Sequence, residues 1–167
     1  MRIRPERPED FPTLHAFITE AFRDAPFVEG DEADFVDRLR ASPTYIPGLA
    51  LVAEQDDALM GHILVSGVEI VADALRLPAL FLAELSVRLD VRGLGIGAAL
   101  VREVFARADA GAIFLVGDIN YYGRFGFRRA DVFGVFNDNE IEAKHFLGAE
   151  LKPGSLAGLS GRIRLPT

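Results

Sequence analysis

The sequence has no cysteine. That excludes a disulfide framework, a thiolate zinc site and a cysteine nucleophile together, and it makes the reducing cytoplasm the expected setting. Basic charge is scarce: 18 Lys and Arg face 25 Asp and Glu, a net charge of −7, and no basic run gathers the cations. The electrostatic footprint of a nucleic-acid binder is missing, so neither nucleic acid nor an anionic membrane is expected as a partner. Long apolar runs are missing too. Leu77 to Ala83 ranks among the longest, far below the roughly 18 residues that span a bilayer. The N-terminus reads Met-Arg-Ile-Arg-Pro-Glu-Arg-Pro-Glu-Asp, with charge where a signal peptide needs its apolar stretch. His15, His62 and His145 lack metal-ligand spacing, and no metal is expected.

What is present is globular composition. Of 167 residues, 50% are hydrophobic and 26% charged, without repeats, low-complexity tracts or a dividing linker. A chain of this length hides about 70% of its unfolded surface, enough for one core, so residues 1–167 are expected to form a single domain.

The elements follow in a readable order. Met1 to Arg4 is a short strand, and Pro8-Glu9-Asp10 opens a helix with apolar residues at Phe11, Leu14, Phe17, Ile18 and Phe22. Arg23 to Gly30 is a loop, and Glu32 to Ala41 a second amphipathic helix ended by Ser42-Pro43. Leu49 to Glu54 and Met60 to Val71 form a hairpin around Gln55-Asp56-Asp57-Ala58, and Leu80 to Arg88 continues the sheet. Leu100, Val101, Val104, Phe105 and Ala108 stripe a helix from Gly97 to Ala110, with Glu103 and Arg107 paired on its wet face and Gly111 as its stop. Ala112 to Val116 reads as a buried strand. A short helix near Tyr121 to Arg124, a strand from Phe127 and a last one at Arg162 to Leu165 complete an α+β protein.

The informative stretch is Leu85-Ser-Val-Arg-Leu-Asp-Val-Arg92-Gly-Leu-Gly95-Ile-Gly97-Ala98, a strand running through a glycine-rich turn into a helix. Glycines let successive N–H groups converge, and the helix start adds unpaired donors and the positive dipole end. An anion, above all a phosphate, belongs there, and Arg92 adds charge and bidentate hydrogen bonds. A Gly-x-Gly pair also serves as a tight turn under close helix packing. Position 100 is Leu where the Rossmann fingerprint needs a third glycine, and no phosphate-loop Gly-Lys-Ser/Thr follows.

Arg92-x-x-Gly95-x-Gly97 after a Leu-x-Val strand resembles the acyl-CoA pyrophosphate loop of the GCN5-related N-acetyltransferase (GNAT) superfamily. Gly117-Asp118-Ile-Asn-Tyr121-Tyr122-Gly-Arg124-Phe125-Gly126-Phe127 is similar to the tail motif of a bacterial subgroup of small predicted acetyltransferases. The likeness runs from the first strand to Leu151-Lys-Pro153-Gly154 and Gly161. Relatives usually carry proline at the positions of Leu89 and, often, Glu84; the first departure only bends the loop, whereas the second introduces a carboxylate.

The resemblance implies a mixed, mostly antiparallel β-sheet with helices on both faces, whose fourth and fifth strands splay to admit the pantetheine arm of acetyl-CoA, the cosubstrate. Leu85, Ser86 and Val87 would pair with that arm through their backbone. Arg92, Gly93, Leu94, Gly95, Ile96, Gly97 and Ala98 would hold the pyrophosphate, and an N–H near Leu85 would meet the thioester carbonyl. The acceptor is a small-molecule or peptide primary amine that attacks the thioester directly, with no enzyme nucleophile. Its site would be built from the Arg23 to Gly30 loop, the second helix and the Asp131 to Gly161 tail. An acyl-CoA sensor of the same fold without turnover is the competing function. The sequence allows a homodimer without fixing oligomeric state.

Tyr122 matches the family's acid, since a phenol stays protonated at neutral pH; its competing reading is an aromatic anchor beside Phe125 and Phe127. Glu84 is the only charge between Leu77 and Val87 in an otherwise apolar strand. It is either the general base, directly or through one water, or the partner of an arginine such as Arg88 or Arg128. His62 is read as packing or a substrate contact, His15 as a surface residue, and Asp118 as a helix cap.

Overall fold

The apolar stripes and alternations resolve into two compact units in the computed structural model, which describes residues 1–25 and 29–167. Pro26 of the expected loop lies outside the described residues. One unit holds residues 1–65 and 83–107, the other residues 66–82 and 108–167.

In the first unit, β1 (Arg2–Pro5) lies antiparallel to β2 (Tyr45–Gln55), with Arg2 opposite Glu54 and Pro5 opposite Leu51. The chain turns into β3 (Ala58–Ala72) through Asp56 and Asp57, whose φ angles are 51° and 61°. Two left-handed residues match the twist of the flanking strands, and aspartate tolerates that region better than most side chains. A second two-residue connection leads into β4 (Leu75–Val87). Both β3 and β4 continue into the second unit.

Helices cover both faces of these strands. The stripes of α1 (Phe11–Phe22) and α2 (Glu32–Arg40) bring Ile18, Val36 and Leu39 onto Ala50 of β2 and Leu64 of β3 in one apolar cluster. Burying each such side chain contributes about 1.5–3 kcal/mol. On the other face, α3 (Ile96–Arg107) sets Ile96 and Leu100 against Gly61 of β3. Side chains alternate along a strand, so the next residue, His62, is turned to the α2 face. Leu100, Val101 and Val104 are buried, and Glu103 and Arg107 pair at 2.8 Å as their spacing predicts.

The second unit adds β5 (Ala112–Val116), β6 (Arg128–Arg129), β7 (Val135–Asn137), β8 (Phe146–Glu150) and β9 (Gly161–Ile163), with a short α4 (Ile119–Tyr122) after β5. Strand β5 runs parallel to β4, Leu80 to Leu82 opposite Ile113 to Leu115, and antiparallel to β8, which also takes β6. Strand β9 pairs antiparallel with β3 and parallel with β7. The sheet is mixed and mostly antiparallel, as expected.

Beyond strand bounds, which shift by a few residues, the helix end and two strands differ from the sequence reading. Helix α3 ends at Arg107, four residues before Gly111, whose carbonyl instead accepts from the N–H groups of Leu151 and Lys152. Strands β7 and β8 occupy a stretch in which the sequence reading places no strand. Gly148 and Ala149 have little β preference, and pairing on both edges of β8 overrides it.

Candidate active site

The first part of the site is backbone. Strand β4 keeps its register with β5 only to Leu82 and then runs on through Val87, where Leu85 and Val87 are half-buried and Ser86 is buried. After one tight turn at Leu89–Val91 comes the glycine loop. Gly93 and Gly95 have φ of 79° and 86°, and no atom lies within 4 Å of where a Cβ on either would stand. Conformation, not crowding, demands glycine here. Helix α3 begins at Ile96, and the first N–H of its ladder is that of Ala99, donating to the Gly95 carbonyl at 3.0 Å. The amides of Ile96, Gly97 and Ala98 therefore precede the ladder, at the positive end of a twelve-residue helix. Arg92 braces the loop: its guanidinium donates to the Ala21 carbonyl at 2.6 Å and the Val87 carbonyl at 3.3 Å.

The second part is a buried ionic cluster in the same unit. The Glu6 N–H donates to the Ala50 carbonyl, fixing the chain just after β1. The Glu6 carboxylate accepts from Arg40 Nε at 2.8 Å and Nη2 at 2.9 Å, from the Tyr45 hydroxyl at 2.9 Å, and lies 2.7 Å from His62 Nε2. His62 is fully buried, and its Nδ1 lies 2.5 Å from Glu84 Oε2. Glu84 is 5% exposed. Its Oε1 and the Ser86 hydroxyl, two residues on and thus on the same face of β4, are buried without a hydrogen-bond partner among the described residues.

Charge follows from this geometry. Burial pushes His62 down, but the charges and hydrogen bonds of Glu84 and Glu6 outweigh it and lift the imidazole from 6.5 to about 9. Burial likewise pushes Glu6 up, and His62 and Arg40 overcome that, drawing it from 4.5 to about 2. Tyr45 is raised, first by burial and then by the charge of Glu6.

The second unit holds a separate arrangement around Tyr122. The Asp118 carboxylate accepts from the Asn120 N–H at 2.9 Å, capping α4 as expected and setting Tyr122 at its end. The Tyr122 ring makes edge contacts with Tyr121 and Phe127 at centroid distances of 4.9 and 5.8 Å. A Cβ on Gly117 would stand 2.8 Å from Tyr122 Cε2, so only glycine lets this ring lie against the strand end.

These arrangements have counterparts. The family model for the acetyltransferase (GNAT) domain matches residues 47–129. The structure of the GNAT family acetyltransferase from Brucella melitensis in complex with acetyl-CoA is 31% identical, with a TM-score of 0.73 over 91% of this chain and 88% of that one. The chain belongs to the GNAT family. The GNAT family N-acetyltransferase YhbS from Escherichia coli, in complex with CoA, is 26% identical with a TM-score of 0.83, covering 98% of this chain and 88% of that one. No curated protein matches the sequence.

Within this GNAT chain the structure sorts the candidates. Glu84 pairs with neither Arg88 nor Arg128: Arg88 is taken by Asp90, two residues on, at 2.6 Å. Its partner is His62, and Glu6, Arg40 and Tyr45 complete a cluster that sequence reasoning missed. The available signal was polar: His62 sits among residues 61–66, all of them buried. His15 is half-exposed beside Asp34 and Asp37. With them it forms the only trio of potential metal-ligating atoms within 4.8 Å among the described residues. Among the same residues no helix is long and apolar enough to cross a membrane.

The cluster sets a pH window for the stability of this GNAT domain. The raised His62 stabilises fully below its unfolded value of 6.5, and that contribution is lost as pH rises through about 9. The lowered Glu6 stabilises fully above 4.5, and its contribution is lost as pH falls through about 2. Melting temperature should therefore peak between 4.5 and 6.5 and decline on both sides, by roughly 2–4 °C per kcal/mol lost. Thermal scans across pH check this, with Glu6→Gln flattening the alkaline slope; a wild-type curve level from neutral to strongly alkaline pH would contradict it.

Proposed function

We propose that this chain is an acetyl-CoA-dependent N-acetyltransferase that moves an acetyl group to a primary amine, residues 1–167 working as one catalytic domain. The observation that carries the reading is the glycine loop. Left-handed Gly93 and Gly95, and the amides at the start of α3 that precede its ladder among the described residues, suit an anion on a chain of net charge −7.

Acetyl-CoA, when bound, supplies an activated thioester and the pyrophosphate by which it is held. The amides of Gly93 to Ala98 would hold the pyrophosphate, with Arg92 bracing the loop and adding positive charge. The β4 backbone from Leu85 to Val87 runs on past its pairing with β5, which leaves main-chain groups for the amides of the pantetheine arm. An N–H near Leu85 would receive the carbonyl oxygen as negative charge develops.

The amine nitrogen bonds to the acyl carbon as the carbon–sulfur bond breaks. Glu84 would take a proton from the incoming ammonium and Tyr122 would give one to the departing thiolate, the second amine proton passing to solvent; no covalent acyl-enzyme is needed. Glu84 is supported by its buried Oε1, which has no partner among the described residues, and Tyr122 by its place at the end of α4. The acceptor is a small-molecule or peptide amine, and the lack of cysteine fits a cytoplasmic setting.

The test measures CoA release from acetyl-CoA with polyamines, aminoglycosides, amino acids and lysine peptides. At least one amine should turn over, and Tyr122→Phe should slow it by about 10–10³-fold while leaving acetyl-CoA affinity intact. Stabilisation by acetyl-CoA with no CoA release from any amine would mark the chain as a sensor. An unchanged kcat in Tyr122→Phe, with chemistry limiting, would return that ring to a packing role.

A further inference from the structure

Glu84 is gripped by one oxygen only. Oε2 lies 2.5 Å from His62 Nδ1, while Oε1 is buried and unpartnered among the described residues. The other side of the imidazole is equally occupied, with Nε2 2.7 Å from Glu6 Oε2. An ionised carboxylate only accepts hydrogen bonds, so a ring between two of them donates from both nitrogens and carries a positive charge. Glu6 is saturated: Arg40 Nε and the Tyr45 hydroxyl meet Oε1, and Arg40 Nη2 and His62 meet Oε2. The groups facing His62 thus come from the end of β1, from α2, from β2 and from β4. Arg40 also reaches the exposed Asp37 at 2.7 Å. Within the buried set two anions, Glu6 and Glu84, balance two cations, Arg40 and His62.

We propose that His62 and Glu6 are positioning residues for the amine-deprotonating carboxylate: His62 clamps Glu84 Oε2 so that Oε1 alone receives the proton, and Glu6 keeps the clamp charged. This rests on the reading of Glu84 as the base. In the step, one N–H bond of the acceptor ammonium breaks, its proton arrives at Oε1 directly or through one water, and the electron pair stays on nitrogen. Glu84 becomes neutral, and the imidazolium keeps both protons. The contact fixes the side chain through Oε2 and leaves Oε1 as the oxygen not engaged by the ring.

The experiment compares pH profiles of kcat/KM for wild type, Glu84→Gln, His62→Asn, His62→Gln and Glu6→Gln, using acetyl-CoA and the fastest amine of the panel. Asparagine mimics the Nδ1 donor without its charge, so His62→Asn should retain measurable activity with its acidic limb moved up by roughly 1–3 pH units. Glu6→Gln should move the limb the same way but less, because it removes one of the two anions that hold the ring charged and leaves the other, Glu84. In wild type, nitrogen NMR of the His62 ring should show both nitrogens protonated at neutral pH. If Glu84→Gln removes the limb while the His62 and Glu6 variants keep the wild-type profile, the clamp is wrong and the base stands. If Glu84→Gln itself keeps the wild-type profile, the base assignment falls and the clamp with it. Should the variants fail to fold, the NMR result decides: a neutral His62 ring in the wild-type protein overturns the proposal.

Discussion

Glu84→Gln is expected to lower kcat/KM by about 10²–10⁴-fold, the range that positioned acid–base catalysis supplies. Glutamine keeps the length and shape of the side chain, and its carbonyl still accepts from His62, so the fold should survive. What disappears is a proton acceptor at the position of the buried Oε1. The acidic limb of the pH profile should vanish with the activity, since that limb reports the group that must be ionised in the free enzyme. Stabilisation by acetyl-CoA should stay within error of wild type, because the glycine loop and the β4 backbone that would bind it are untouched. A variant that loses acetyl-CoA stabilisation along with turnover would mean that Glu84 supports the loop and not the chemistry.

Gly95→Glu should abolish binding of acetyl-CoA. At φ of 86° any side chain carries strain, about 1–3 kcal/mol, but nothing lies within 4 Å of the new Cβ, so the protein should still fold with a modestly lower melting temperature. The added carboxylate would stand before amides that otherwise attract an anion. A ligand at a hundredfold its Kd stabilises by about 2.7 kcal/mol, some 5–11 °C in a domain of this size, and that shift should fall to zero. Gly95→Ala is the control. It bears the same backbone strain without the charge and should retain part of the shift. Equal acetyl-CoA stabilisation in wild type and Gly95→Glu would remove the loop from the binding site.

The contrast between the loop and the ionic cluster shows what a sequence exposes. Arg92 to Ala98 is contiguous, and its meaning comes from local backbone geometry that glycine spacing announces. The same holds for Asp118 and Tyr122, joined within one short helix. Residues 6, 40, 45, 62 and 84 carry no such announcement. Their meeting depends on which strands neighbour one another and on which face α2 packs, and no local preference encodes either. Glu84 could be recognised as anomalous, a carboxylate in an apolar strand, but its partner could not. The nearer candidate, Arg88, was claimed by Asp90 through a shorter loop. Strands β7 and β8 escaped for a related reason: β7 is only three residues long, and β8, with Gly148 and Ala149, depends on the partners on both its edges.

The cluster also bears on how the chain folds. Its two histidine contacts bridge 22 and 56 residues of sequence, and the arginine and tyrosine contacts to Glu6 bridge 34 and 39. Closing such loops costs entropy before any contact rewards it. A chain that has formed the β2–β3 hairpin without docking the end of β1 holds His62 with one of its anions absent, and a chain without α2 leaves Glu6 without Arg40. Neither intermediate gains by burying those groups, so they stay hydrated until all the strands and α2 converge. The ionic cluster is therefore complete only when the end of β1, α2, β2, β3 and β4 have all met, since each of them supplies one of its members.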